Sequence, residues 1–144
     1  MTHNKLRCIV VDDSSLQRLS ITKMVKDHPN LVLVAEHNNA LDTKRELESS
    51  KVDLIFLDIE MPILSGFDLL DNLEEKPEII FVTGKTQYAF QAFNYQAIDY
   101  LQKPVIKDRF NVAVKKALDL YLVKNEKLNT LDENYIFIKS NLKK

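Results

Sequence analysis

Short, unbroken apolar runs recur along the chain at Leu6 to Val11, Leu31 to Ala35, Val52 to Leu57, Ile79 to Val82 and Ile98 to Leu101. Within each run the apolar residues are contiguous instead of alternating with polar ones, so each predicts a strand covered on both faces. The segments between them carry helical period. Ile21, Met24 and Val25 share one face of the first, which opens at Ser14 and Gln17 with the spacing of a capping box. The second covers roughly Ala40 to Glu48, the third carries Phe67, Leu70 and Leu73, and the fourth carries Tyr88, Ala89, Ala92 and Phe93. In the fifth, Phe110, Val114, Ala117, Leu118, Tyr121 and Leu122 recur at helical intervals, the strongest such signal in the chain.

Strand and helix alternating through short connections imply parallel pairing by right-handed crossovers, with helices on both faces of one sheet. The predicted fold is therefore α/β: a doubly wound, five-stranded parallel sheet flanked by five helices. A chain of 144 residues with 45% hydrophobic content is long enough to bury such a core. Its net charge of −1 supplies no overall basic field to draw it onto nucleic acid or an anionic membrane. No apolar stretch is long enough to span a bilayer and the first residues carry no leader-like apolar segment, so a cytoplasmic location is expected. Cys8, the one cysteine, lies inside the first apolar run, where core packing is the expected role. Residues 125–134 are polar and break the periodicity before a short apolar run, Tyr135 to Ile138. This reads as a domain over residues 1–124, a linker over 125–134, and the opening strand of another unit over 135–144.

Ligands of such sheets bind beyond the carboxyl ends of the strands, so the residues that close each run carry most of the functional information. The first run ends in Asp12 and Asp13, the third in Asp58, the fourth in Thr83 and Gly84, and the fifth in Lys103 and Pro104. Taken singly, Asp12 and Asp13 suit a helix start, Asp58 a turn and Lys103 a solvated surface. Together they bring three carboxylates to one sheet edge, where mutual repulsion calls for a cation. Mg²⁺ is the economical choice, because it takes one or two carboxylates, keeps several waters and accepts phosphate oxygens as further ligands. The Lys103–Pro104 bond is a candidate cis peptide. The chain has only two glycines, Gly66 and Gly84, both in loops expected to border this crevice. Gly84 would leave Asp58 open to attack.

The set resembles the receiver domain of two-component response regulators, a CheY-like member of the flavodoxin-like architecture. The matching residues are Asp12 and Asp13 in VVDDSS, Asp58 in LIFLDIEMPILSGFDLL, Thr83 in IIFVTG and Lys103 in AIDYLQKP, in order over roughly Leu6 to Lys124. The resemblance implies a phosphoacceptor switch instead of a classical enzyme. Asp58 would take a phosphoryl group from a sensor histidine kinase. Mg²⁺ would be held by Asp13, Asp58 and the backbone carbonyl of Glu60, with Asp12 acting through water. Lys103 would pair with the phosphoryl oxygens, Thr83 would donate to one of them, and Tyr100 would swing into the space that Thr83's loop vacates. It also implies a homodimer through the fourth helix, fifth strand and fifth helix. YAFQAFNYQAIDYLQKP followed by ENYIFIKSNLKK is similar to regulators that carry a LytTR-type DNA-binding domain, so residues 135–144 would open that domain and DNA would be contacted only through it. Glu60 and Lys85, two residues beyond Asp58 and Thr83 and opposite in charge, are expected to pair across the phosphoryl group and set its lifetime.

Two rivals fit less well. A phosphatase of the haloacid-dehalogenase type needs a second aspartate two residues after the nucleophile, where this chain has Glu60. A flavin-binding module needs a Ser-, Thr- and Gly-rich phosphate loop after the first strand, where Asp12 and Asp13 would repel phosphate.

Overall fold

The structure is a computed structural model that describes the backbone of residues 5–142 and the side chains of residues 5–125. Five parallel strands form one sheet: β1 (Leu6–Val11), β2 (Leu31–His37), β3 (Leu54–Asp58), β4 (Glu78–Thr83) and β5 (Asp99–Gln102), in the order β2-β1-β3-β4-β5. The helices are α1 (Ser15–Asp27), α2 (Ala40–Ser49), α3 (Gly66–Asp71), α4 (Ala89–Phe93, entered through a 3₁₀ turn at Thr86–Tyr88) and α5 (Lys107–Leu142). The expected α/β class and strand count are both met.

Side chains alternate across the pleat, and this is why contiguous apolar runs suit the central strands. Cys8 and Val10, Leu54 and Phe56, and Ile80 and Val82 face one layer, where Ile21 and Val25 of α1 and Phe110, Ala113, Val114 and Ala117 of α5 close over them. Ile9 and Val11, Ile55 and Leu57, and Ile79 and Phe81 face the other, under Phe67, Leu69 and Leu70 of α3 and Ala92 of α4. Cys8 is fully buried in the first layer, and burial pushes its thiol up to about 12, so it packs as a small hydrophobe.

Four local expectations are corrected. β2 and, at the other edge, β5 are mostly half-exposed, not covered on both faces, because the helices close over the middle of the sheet and reach its edge strands only in part. Ser14 caps α1 by accepting from the Gln17 N–H, whereas the complete reciprocal box forms at Ser65 and Asp68, at the start of α3. Phe93 does not share the inward face of Ala92; it is 81% exposed, because the groove under this short helix is already filled by Phe67, Phe81, Tyr88 and Tyr95. Finally, α5 runs through the segment expected to be a linker and the strand Tyr135–Ile138. A strand gains its stability from a neighbour, and among the described residues no strand lies beside this one, so the local helical hydrogen bonds prevail. Residues 143–144 of the expected C-terminal unit and residues 1–4 of the first lie outside the described residues.

Candidate functional site

The strand order doubles back between β1 and β3. Chain leaving β1 turns to one side of the sheet and chain leaving β3 to the other, which opens a crevice at their carboxyl ends. Asp58 is the last residue of β3, while Asp12 and Asp13 follow β1 directly. One carboxylate oxygen from each of the three lies within 4.8 Å of the others. Asp12 and Asp58 are buried and Asp13 is exposed, so the cluster is open on one side.

Lys103 reaches in from the end of β5, its ammonium 2.7 Å from Asp12 and 3.5 Å from Asp58. The peptide bond that follows it, to Pro104, is cis. One cation among three acids leaves an excess of negative charge. The consequence appears at Asp58, whose carboxyl is pushed up to about 7, first by burial and then by the charge of Asp12, with Lys103 pulling the other way and Asp13 adding to the rise. A second positive charge is what this geometry lacks, and an all-oxygen, partly open donor set suits a hard divalent cation.

The opposite wall is built from β4. Asp58 pairs in register with Val82, so Thr83 stands one residue past it on the neighbouring strand, fully buried. The Thr83 hydroxyl accepts a 3.4 Å bond from the Lys85 N–H, and its carbonyl accepts from the Lys103 N–H at 2.8 Å, which ties the β4 and β5 ends together. Gly84 is exposed and a Cβ there would meet nothing within 4 Å. Tyr100, expected to move in after phosphorylation, already donates its hydroxyl to the Lys85 carbonyl. Burial pushes that phenol up, as expected of a ring packed against the loop.

Glu60 and Lys85 form the anticipated pair, with Nζ 3.3 Å from Oε2 and both side chains about half exposed. A cleft of about 560 Å³ runs from Asp13 and Glu60 past Met61 and Ser65 to Tyr88 and Gln91. Gly66 has a sharper role than an ordinary turn residue: a Cβ there would stand 2.5 Å from the Asp58 carbonyl oxygen, so only glycine lets α3 start this close to β3. The Gly66 N–H donates to the Ile59 carbonyl at 2.8 Å, fixing the loop beyond Asp58.

Two further contacts hold Asp12. The Ser14 N–H donates to an Asp12 carboxylate oxygen at 2.9 Å, and Arg18 donates to the Asp12 backbone carbonyl at 2.8 Å. The first is an ordinary consequence of a helix start and was legible as such. The second joins a side chain to a carbonyl, which no residue pattern announces.

Comparison with known proteins bears on the same residues. A family model described as the response regulator receiver domain matches residues 8–115. Sensory transduction protein LytT of Enterococcus faecalis is 36% identical over 115 residues, covering 78% of this chain and 48% of that protein. Transcriptional regulatory protein YpdB of Escherichia coli is 32% identical over 114 residues, covering 77% and 47% respectively. The chain thus spans about half the length of the curated relatives it matches. Among solved structures, the response regulatory domain of protein mrkE from Klebsiella pneumoniae superposes with a TM-score of 0.74 at 31% identity, over 81% of this chain and 98% of that one.

Proposed function

The chain belongs to the response regulator receiver family of two-component systems, and from that premise we propose that Asp58 is its phosphoacceptor. The observation that carries this reading is the convergence of Asp12, Asp13, Asp58 and Lys103 at the β1/β3 switch point. Asp13, Asp58 and the Glu60 carbonyl would hold Mg²⁺, with Asp12 acting through water. When bound, the ion supplies charge neutralisation and orientation for the phosphoryl oxygens.

The chain's own residues do the rest. A carboxylate oxygen of Asp58 attacks phosphorus as the bond from phosphorus to the kinase's histidine nitrogen breaks; the electron pair stays on that nitrogen, and the imidazole takes up a proton from solvent. The product is an acyl phosphate on Asp58. Lys103, already 3.5 Å from Asp58, offsets the added charge. Thr83 donates its hydroxyl to a phosphoryl oxygen, with Gly84 leaving room above. Tyr100, held to the Lys85 carbonyl, follows the movement of that loop. The Glu60–Lys85 pair spans the mouth of the crevice and slows hydrolysis of the acyl phosphate. The domain thus assists its own phosphorylation and dephosphorylation without turning over an external substrate.

The output side of the proposal rests on the names LytT and YpdB and on the length those relatives have beyond this chain. We read the receiver as governing a LytTR-type DNA-binding unit C-terminal to it, with self-association through the α4-β5-α5 face, where Phe90 and Phe93 are exposed. Among the described residues no helix is long and apolar enough to cross a membrane. A cytoplasmic site of action is part of the same reading.

Mass spectrometry after treatment with acetyl phosphate and Mg²⁺ tests the centre of it. Wild type is expected to gain about 80 Da, one phosphoryl group, and Asp58→Ala to gain nothing. Equal adducts in both would remove Asp58 from the role, and sustained phosphate release from a phosphomonoester would favour a phosphatase instead.

A further inference from the structure

We infer that Arg18 is a positioning residue for the metal site, acting through the backbone of Asp12 instead of through any ligand atom. Arg18 lies on α1, 19% exposed in its side chain. Its guanidinium divides between two partners: Nη1 donates to the Asp12 carbonyl at 2.8 Å and Nε to Glu36 at 2.9 Å. The inference rests on the proposed cation site and adds a residue that neither the carboxylates nor Lys103 imply.

The argument starts from the planarity of the peptide unit. The Asp12 carbonyl oxygen and the Asp13 nitrogen share one plane, so holding that oxygen sets the plane from which the Asp13 side chain springs. The unit before it is held too, because the Asp12 N–H donates to the His37 carbonyl at 3.1 Å. The Asp12 carboxylate is held by the Ser14 N–H at 2.9 Å and by Lys103 at 2.7 Å. Asp13 is exposed, and the side chain it meets is the Asp58 carboxyl, itself a proposed ligand, which repels it once both are ionised. Its direction therefore depends on the plane that Arg18 anchors. Glu36, at the far arm, keeps the planar fork aimed at the carbonyl, a geometry that an ammonium group cannot reproduce with both partners.

Charge alone makes the opposite forecast. A guanidinium beside the crevice repels a divalent cation, so its removal should tighten binding if electrostatics were all that mattered. Positioning makes removal weaken it. The sign of the change decides between the two.

The experiment is titration of Mg²⁺ into wild type, Arg18→Met, Arg18→Lys and Asp13→Asn by isothermal titration calorimetry, with the Mg²⁺ dependence of phosphorylation by acetyl phosphate measured in parallel. Arg18→Met is expected to raise the Mg²⁺ dissociation constant about tenfold, the low end for partners that orient a ligand. The half-saturating Mg²⁺ concentration should rise in proportion while the rate at saturating Mg²⁺ changes less than about twofold. Arg18→Lys should fall between wild type and Arg18→Met, and it carries the test if Arg18→Met does not fold by circular dichroism. Unchanged or tighter Mg²⁺ binding in both Arg18 variants overturns the inference while leaving the metal site intact. If Asp13→Asn binds Mg²⁺ as tightly as wild type, the metal-site reading itself is wrong, and the role of Arg18 goes with it.

Discussion

The wall of the crevice that carries Asp12 and Asp13 backs onto α1, a helix of 13 residues capped by Ser14 and seated on Ile21 and Val25. The wall that carries Thr83 gives way to a three-residue 3₁₀ turn and the five-residue α4, of which only Ala92 is fully covered. Helices this short draw little stability from their own hydrogen bonds and depend on what they pack against. The contrast suits a switch. In the proposed switch the acidic wall would keep fixed ligand geometry, while the response wall would change position for a cost that one phosphoryl group can offset.

Two glycines, one packed against the Asp58 backbone on the acidic side and one on the response wall, provide the largest expected difference. Gly66→Ala drives a Cβ to within 2.5 Å of the Asp58 carbonyl, a backbone atom that cannot rotate away. It should destabilise the fold by about 1–3 kcal/mol in urea denaturation, the usual penalty of overpacking, and reduce phosphorylation as β3 shifts. Gly84→Ala meets nothing within 4 Å, so its midpoint should stay within about 0.5 kcal/mol of wild type. Equal losses at both positions would mean that the response wall is as tightly built as the acidic one.

The acidic wall is rigid at an electrostatic cost, and this gives the next effect. Asp58 is held up at about 7, mainly by burial and then by Asp12, against an ordinary value of 3.8. The folded chain therefore binds this proton more tightly than the unfolded chain does. Stability from this group is greatest below pH 4, declines as pH rises through 7, and is flat above. Asp58→Asn escapes the decline. Melting in EDTA should show no gap between the two proteins at pH 4 and a gap of roughly 5 °C in favour of Asp58→Asn at pH 8. A gap that stays constant across this range would remove charge from the explanation.

What the sequence disclosed follows this same division. The acids and Lys103 were legible because each stands at the end of an apolar run, and the alternation of runs and helices determines which ends share an edge. The pairing of Glu60 with Lys85 was legible from equal offsets beyond two neighbouring strand ends. Phe93 was misread because five residues and a 3₁₀ entry leave too little periodicity to phase a face. The exposure of β2 depends on which strand occupies the edge, a property of topology that a strand's own residues do not encode. Arg18 was invisible because its partner is a carbonyl oxygen, which every residue carries.

A smaller effect concerns how α4 is tethered. Tyr95, just past the end of α4, stacks on Phe67 at 5.0 Å and donates its hydroxyl to Asp71 of α3 at 2.9 Å. Burial first, and then this bond to Asp71, pushes the phenol up to about 12, so the tether stays protonated at any physiological pH. Tyr95→Phe keeps the stacking and removes the bond. It should cost about 0.5–1 kcal/mol. Hydrogen exchange should quicken in residues 86–97 and stay unchanged in α1, since local opening reports the least stable segment. Equal acceleration in α1 would show that the two walls open together and are not separable units.

The smallest change is expected at Phe90 and Phe93, which are 85% and 81% exposed on α4. A core phenylalanine cut to alanine typically costs about 3–5 kcal/mol, because transfer and cavity terms add. These two bury too little surface for either term, so Phe90→Ala and Phe93→Ala should each unfold within about 0.5 kcal/mol of wild type. If that holds, the rings contribute nothing that the isolated domain needs, and their place on the α4-β5-α5 face is better explained by association. Sedimentation of the wild type after acetyl phosphate and Mg²⁺ treatment should then show a heavier species that Phe93→Ala weakens. A loss of 2 kcal/mol or more in the unphosphorylated monomer would instead make Phe93 part of the packing of α4, and the response wall would be firmer than its short helices suggest.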